Sequence, residues 1–104
     1  MYENADKLLT VIVPAYNMEH MLEKDLESLI ISDNYFDKLE VIVINDGSKD
    51  KTLDIAKRFE VNYPSVFKTI DKENGNYGSC INAGLKSANG TFIKIMDADR
   101  KSVV

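Results

Sequence analysis

Asp97 and Asp99 flank one residue at the end of an apolar run, Thr91 to Met96. Two carboxylates so spaced can reach a common cation where the chain opens into a turn. Hard oxygen ligands suit Mg²⁺ or Mn²⁺, ions that commonly bridge a carboxylate to phosphate oxygens. The pattern alone is cheap, because ten Asp among 104 residues give roughly one Asp-x-Asp by chance, and a solvated loop accounts for it as well. Its place after an apolar strand favours a ligand site. Asp46 stands in Asn45-Asp46-Gly47-Ser48, an ordinary turn that also suits a helix start. Its functional alternative is a carboxylate accepting hydrogen bonds from a base imide or a ribose. Glu73-Asn74-Gly75-Asn76-Tyr77-Gly78 bears glycines and leads into a helix, where backbone N–H groups and the helix dipole can approach a diphosphate.

Other residues carry less. His20, the one histidine, reads as an exposed residue in the first turn of the first helix, and Cys80 as a small apolar packing residue in the third. Met18, Met21 and Met96 read as core or core-edge positions, and Lys49-Asp50-Lys51 with Lys57-Arg58 as solvated charge. The dinucleotide fingerprint belongs after the first strand, where this chain has Pro14-Ala15-Tyr16-Asn17, and no P-loop is present.

The elements that would position these residues follow from apolar periodicity. Leu8 to Val13 and Leu39 to Ile44 are short runs with near-continuous apolar character, as parallel strands covered on both faces require. Met18, Met21, Leu22, Leu26, Leu29 and Ile30 recur at helical spacing between them. Ser48 is a candidate N-cap for a second helix carrying Leu53, Ala56 and Phe59 and stopping before Pro64. A weak strand is expected at Val66 to Ile70, then a helix over Asn76 to Ala88 with Tyr77, Ile81, Gly84, Leu85 and Ala88 on one stripe, closed by Asn89-Gly90. Thr91 to Met96 is the fourth strand. Such β-α alternation predicts a parallel, doubly wound sheet with right-handed crossovers. Ligands of such sheets sit beyond the carboxyl ends of the strands. Pro14 to Asn17, Asp46 to Ser48 and Asp97 to Asp99 should therefore converge on one edge.

The composition fits one α/β domain. With 44% hydrophobic residues and 104 positions, the chain can bury about two-thirds of its unfolded surface without staples. A net charge of −4 argues against general affinity for nucleic acid or anionic lipid, both of which need a basic field. One cysteine excludes an internal disulfide and a thiolate zinc cluster. No apolar run reaches the 18 or so residues of a membrane span, and the N-terminus lacks signal-peptide character, so a cytoplasmic chain is expected.

Four segments stand in order: Thr10-Val-Ile-Val-Pro-Ala-Tyr-Asn17, Val43-Ile-Asn-Asp-Gly-Ser48, Asn74-Gly-Asn-Tyr-Gly-Ser-Cys-Ile-Asn-Ala-Gly84 and Met96-Asp-Ala-Asp99. Together they resemble the family 2 glycosyltransferases over about Lys7 to Asp99. The resemblance implies a Rossmann-like GT-A fold, three-layer α/β/α with a mostly parallel sheet, truncated after the Asp-x-Asp element. It implies transfer of a sugar from a nucleotide-diphosphate donor, most simply a UDP-sugar, to a glycan, lipid or cell-surface polymer. Pro14, Ala15, Tyr16 and Asn17 would line the base pocket and Asp46, with Gly47, would hold the base. Asn74 would lie near the donor, Asp97 would contact ribose or sugar, and Asp97 and Asp99 would serve the metal, Mn²⁺ or Mg²⁺.

Two positions depart from the family pattern. Ile81 stands where many members have arginine, which leaves a phosphate contact to another residue such as Lys72, and Arg100 replaces a further Asp. The resemblance also implies an acceptor-binding half carrying the catalytic base, expected to lie outside residues 1–104. Residues 1–104 are therefore expected to be the donor-binding part of a larger, inverting enzyme, inactive alone, whose full form works in the cytoplasm or at the cytoplasmic membrane face. An unpaired fourth strand is expected to promote self-association, or to be covered by Lys101 to Val104. The competing readings are a non-catalytic nucleotide-binding or interaction module of the same fold, and a receiver-like or flavodoxin-like domain, which leaves Asp-x-Asp unexplained.

Overall fold

The computed structural model of the chain describes residues 7–30 and 38–96. Four strands, β1 (Leu9–Ala15), β2 (Leu39–Asp46), β3 (Phe67–Lys72) and β4 (Phe92–Ile95), alternate with helices α1 (Leu22–Ile30), α2 (Thr52–Asn62) and α3 (Tyr77–Ser87). The strands pair in parallel in the order β3-β2-β1-β4. This is the predicted doubly wound α/β/α arrangement, with strand order reversing between β1 and β4.

The apolar runs of β1 and β2 are buried on both faces, as expected of central parallel strands. Val11, Val13, Val41 and Val43 pack with Leu22 and Leu26 of α1 and Ala56 and Phe59 of α2. Ile12, Ile42 and Ile44 form the opposite layer with Cys80 of α3. At Gly84 a Cβ would stand 2.7 Å from Ile12 Cγ2, so the missing side chain is what lets α3 lie this close to the sheet. Pro14 sits within a central strand at no cost to the ladder. Leu8 and Ile12 accept from Phe92 and Met96, so even-numbered residues of β1 face β4, and the β1–β4 ladder ends at the Ile12–Ile95 pair. The nitrogen of Pro14 falls just past that end.

Several local expectations change. The first helix begins at Leu22, not near Met18, because Asn17 adopts a left-handed φ of 51° and the residues after it are tied to the next loop. Met21 consequently lies half exposed, outside the core. Ser48 does not cap α2; the N-cap position is Lys51, without a side-chain bond. Leu85 turns outward from α3, whereas Cys80 and Gly84 face the sheet. β3 runs on to Lys72, two residues past the expected end, because its ladder with β2 continues to Asp46. Glu40, inside an apparently apolar run, is fully buried.

β4 differs from the other strands in that all four residues are exposed, with Phe92, Ile93 and Ile95 at 62, 41 and 42%. Among the described residues, the helices pack over β1 to β3 and not over β4. Beside it, Leu8, Leu9, Val11, Leu29, Leu39 and the stem of Lys94 line an apolar hollow of about 360 Å³. Among the described residues, no helix is long and apolar enough to cross a membrane.

Candidate functional site

The turns after β1 and β2 are knitted into one surface at the carboxyl edge of the sheet. Asn17 donates its N–H to Ser48 Oγ (2.9 Å) and accepts from Lys49 N–H through Oδ1 (2.8 Å). Met18 N–H donates to Thr52 Oγ1 (2.6 Å), Glu19 N–H to Asp50 Oδ2 (3.2 Å), and Lys51 N–H to Glu19 Oε1 (3.0 Å). Ser48, expected as a cap, thus serves as an acceptor between loops. Asp50, expected as solvated charge, accepts from the Thr52 N–H and hydroxyl and holds the start of α2. Burial raises its pKa, but these donors outweigh burial and keep the carboxyl below its ordinary value.

Asp46 ends β2 at the centre of this edge and is buried. Its Oδ1 accepts from Gly75 N–H at 2.8 Å and from Lys72 Nζ at 3.1 Å, while its carbonyl accepts from Asn74 Nδ2 at 2.9 Å. Burial again pushes the pKa up, yet the Gly75 N–H, the Lys72 ammonium and the Cys80 thiol together hold it below the ordinary carboxylate range. The carboxylate is ionised, preorganised and backed by a cation. Gly47, at φ 70°, brings the next peptide against the Asn74 backbone.

Cys80 lies beneath Asp46, its thiol pushed up by burial and by the Asp46 charge, which matches its expected role as an unreactive packing residue. His20 is exposed beside Glu19, as expected. Lys72, considered above as a phosphate contact, bonds to Asp46 Oδ1 (3.1 Å) and to the Glu73 carbonyl (2.8 Å). Ile81 packs against the α3-side core, so this position makes no polar contribution.

The structure therefore brings together Asn17, Asp46, Gly47 and Asn74. Pro14 and Ala15 are buried at the end of β1, and Tyr16 is 40% exposed beside them. Asp97, Asp99 and Arg100 lie outside the described residues, as do Lys101 to Val104, although β4 runs parallel to β1 toward this same edge. Asn76 caps α3 by accepting Ser79 N–H at 2.8 Å, which takes one of the amides considered for a diphosphate. Among the described residues, no three His, Cys, Asp or Glu side chains cluster as metal ligands. The sequence pointed to Lys72 only as a phosphate contact, not as a partner of Asp46, and to Asp50 only as solvated charge. Lysine at the end of the strand beside Asp46 was the available signal for the first.

A doubly wound sheet takes ligands beyond the carboxyl ends of its strands, and this one sets an ionised carboxylate there at the end of β2, which defines an α/β ligand-binding class. Comparison makes it specific: residues 10–100 match the model of Glycosyl transferase family 2, and the chain belongs to that family. It is 38% identical to the uncharacterized glycosyltransferase MG025 of Mycoplasma genitalium, over 88% of this chain and 31% of that protein. The minor teichoic acid biosynthesis protein GgaB of Bacillus subtilis is also 38% identical, over 86% of this chain and 10% of GgaB. Among solved structures, the mannosyltransferase PcManGT of Pyrobaculum calidifontis, in complex with GDP-Man and Mn²⁺, superposes with a TM-score of 0.80 at 32% identity, covering 88% of this chain and 27% of that one. TarS residues 1–349 of S. aureus give 0.74 at 33%, with the same coverage. The fold is GT-A, and the chain spans less than a third of each of these relatives.

Proposed function

We propose that residues 1–104 form the nucleotide-sugar-binding part of a glycosyltransferase that passes a sugar from a nucleoside-diphosphate donor to a carbohydrate or lipid acceptor. The observation that carries this reading is the Asp46 carboxylate, ionised and fixed at the carboxyl edge by Gly75 and Lys72. Asp46 receives the base, the woven turns from Pro14 to Asn17 and from Gly47 to Thr52 wall the pocket, and Asn74 holds the turn that carries Gly75. Asp97 and Asp99 would hold Mn²⁺ or Mg²⁺ together with the donor's phosphate oxygens. Such an ion would neutralise charge growing on the departing diphosphate. The acceptor base of an inverting transfer would come from residues other than these.

Calorimetric titration tests this reading. UDP is expected to bind in the presence of Mn²⁺, Asp46→Asn to weaken it by roughly tenfold or more, since an amide replaces a charged acceptor, and Asp99→Asn to remove the Mn²⁺ dependence. Failure of every nucleoside diphosphate to bind would identify a module that keeps the fold without the donor site.

We further propose that two copies pair through β4. Phe92 and Met96 direct their N–H groups to β1, so Ile93 and Ile95 direct theirs to the free edge. An antiparallel pair centred on Lys94 would oppose two ammonium groups, which is unfavourable. Centring on Ile93 instead exchanges two Ile93 hydrogen bonds and sets Phe92 opposite the partner's Lys94. Ile93→Pro removes an outward N–H without touching the β1 ladder. Sedimentation should show dimers of the unmodified chain and monomers of this variant; monomers of both at high concentration would refute the pairing.

A further inference from the structure

The acceptor capacity that Asp46 offers a ligand can be counted. A carboxylate has about four lone-pair sites, two on each oxygen. Both on Oδ1 are taken, by Gly75 N–H at 2.8 Å and Lys72 Nζ at 3.1 Å. The Cys80 thiol also donates to this carboxylate, so one site, on Oδ2, is left to receive a ligand. Lys72 in turn gives one N–H to Asp46 and one to the Glu73 carbonyl at 2.8 Å. Its third N–H has no partner among the described residues and sits beside the carboxylate. The Lys72 side chain is only 23% exposed and that of Asp46 12%, so solvent does not freely make up a mismatch.

We infer that Lys72 sets the base preference of this site, closing Oδ1 and offering a donor beside Oδ2, so that the pocket takes a base whose ring N–H lies beside a carbonyl oxygen and has no second donor next to it. The inference rests on Asp46 being the base-binding carboxylate. A uracil or thymine imide fits: N3–H donates to Oδ2 and a neighbouring carbonyl accepts from Lys72. Guanine offers the same N–H and carbonyl, but its 2-amino group needs a second carboxylate acceptor, and Oδ1 has none left. A buried donor without an acceptor costs about a factor of ten or more in affinity. Adenine and cytosine place a ring-nitrogen lone pair against the carboxylate and fit worse. Lys72 thereby acts as a specificity-determining residue through Asp46.

Hypoxanthine is guanine without the 2-amino group, so inosine diphosphate isolates this effect from base size. Titration of the chain with UDP, IDP and GDP in Mn²⁺ should give UDP and IDP each roughly tenfold tighter than GDP. Lys72→Met frees a lone pair on Oδ1 and should bring IDP and GDP within about threefold of each other, while UDP weakens. Lys72→Arg, which keeps a cationic donor, should preserve the gap. Equal affinities of the unmodified chain for IDP and GDP, or an unchanged gap in a folded Lys72→Met variant, would overturn the inference while leaving the donor site standing. Binding that ignores Asp46→Asn would instead remove the base-site assignment itself, and this inference with it.

Discussion

Replacing Glu40 by alanine is expected to lower the unfolding free energy by about 3 kcal/mol. The Glu40 side chain is essentially inaccessible at the amino end of β2. It accepts from the Thr10 hydroxyl (2.7 Å), Lys68 Nζ (2.7 Å), Asn89 N–H (2.8 Å) and Asn89 Nδ2 (3.0 Å). Thr10 Oγ1 accepts in turn from Gly90 N–H at 2.8 Å. One carboxylate thus joins β1, β2, β3 and the turn that delivers β4. Lys68 is 30% exposed and Asn89 is exposed, so both can turn to water, and the loss comes mainly from the buried Thr10 hydroxyl left without its acceptor, the missing hydrogen bonds and the cavity. Glu40→Gln should be nearly as harmful, since its amide must set a donor against Lys68 or Asn89. Burial raises the Glu40 pKa, but the bonds from Lys68, Thr10 and Asn89 outweigh it and hold the folded carboxyl below its ordinary value. Its stabilisation is therefore complete above the unfolded value and fades as pH falls through the folded one, below about pH 4.5. Urea unfolding across that range should show a steeper acid loss in the unmodified chain than in Glu40→Ala. A loss under about 1 kcal/mol near neutral pH would show that the network is not a structural tie.

Glu40 also marks where reading the sequence stops. The apolar runs Leu8 to Val13 and Leu39 to Ile44 report burial on both faces, and burial of that kind implies parallel pairing and a carboxyl-edge site. Parallel pairing and the meeting of the turns at Asn17 and at Asp46 to Ser48 were legible for that reason, whereas the strand order was not. A carboxylate inside such a run is silent, because its partners Thr10, Lys68 and Asn89 are distant in sequence and meet only through the fold. The start of α1 was misplaced for a related cause. Met18 and Met21 carry helical periodicity, but bonds from Met18 and Glu19 to Thr52 and Asp50 across the edge hold an irregular turn there instead. Local pattern registers which face a residue prefers; it does not register competition for a backbone N–H from a loop some thirty residues away. The same limit hid Lys72, whose meaning depends on β3 extending far enough to set it beside Asp46.

Gly47→Ala should both destabilise the domain and close its site. At φ 70° an L-residue is strained, by roughly 1–2 kcal/mol. A Cβ there would also stand 2.6 Å from Asn74 N and 3.0 Å from Asn74 Cα. These are backbone atoms, so no side chain can swing aside, and the turn after β3 must move. That turn carries the Gly75 N–H that fixes Asp46 Oδ1 and the Asn74 amide on the Asp46 carbonyl. The total loss is expected at about 2–4 kcal/mol, strain plus overpacking, and UDP binding should fall with it because the carboxylate loses its fixed orientation. Gly78→Ala is the matched control: its added Cβ meets nothing nearer than Asn76 Oδ1 at 3.5 Å, and in the first turn of α3 alanine favours helix by up to about 1 kcal/mol. If thermal melts and UDP titrations found the two substitutions equally mild, the close approach of Gly47 to Asn74 would have no part in shaping the base pocket. If Gly47→Ala alone lost stability yet bound UDP normally, Asp46 would be held by Lys72 without help from the turn.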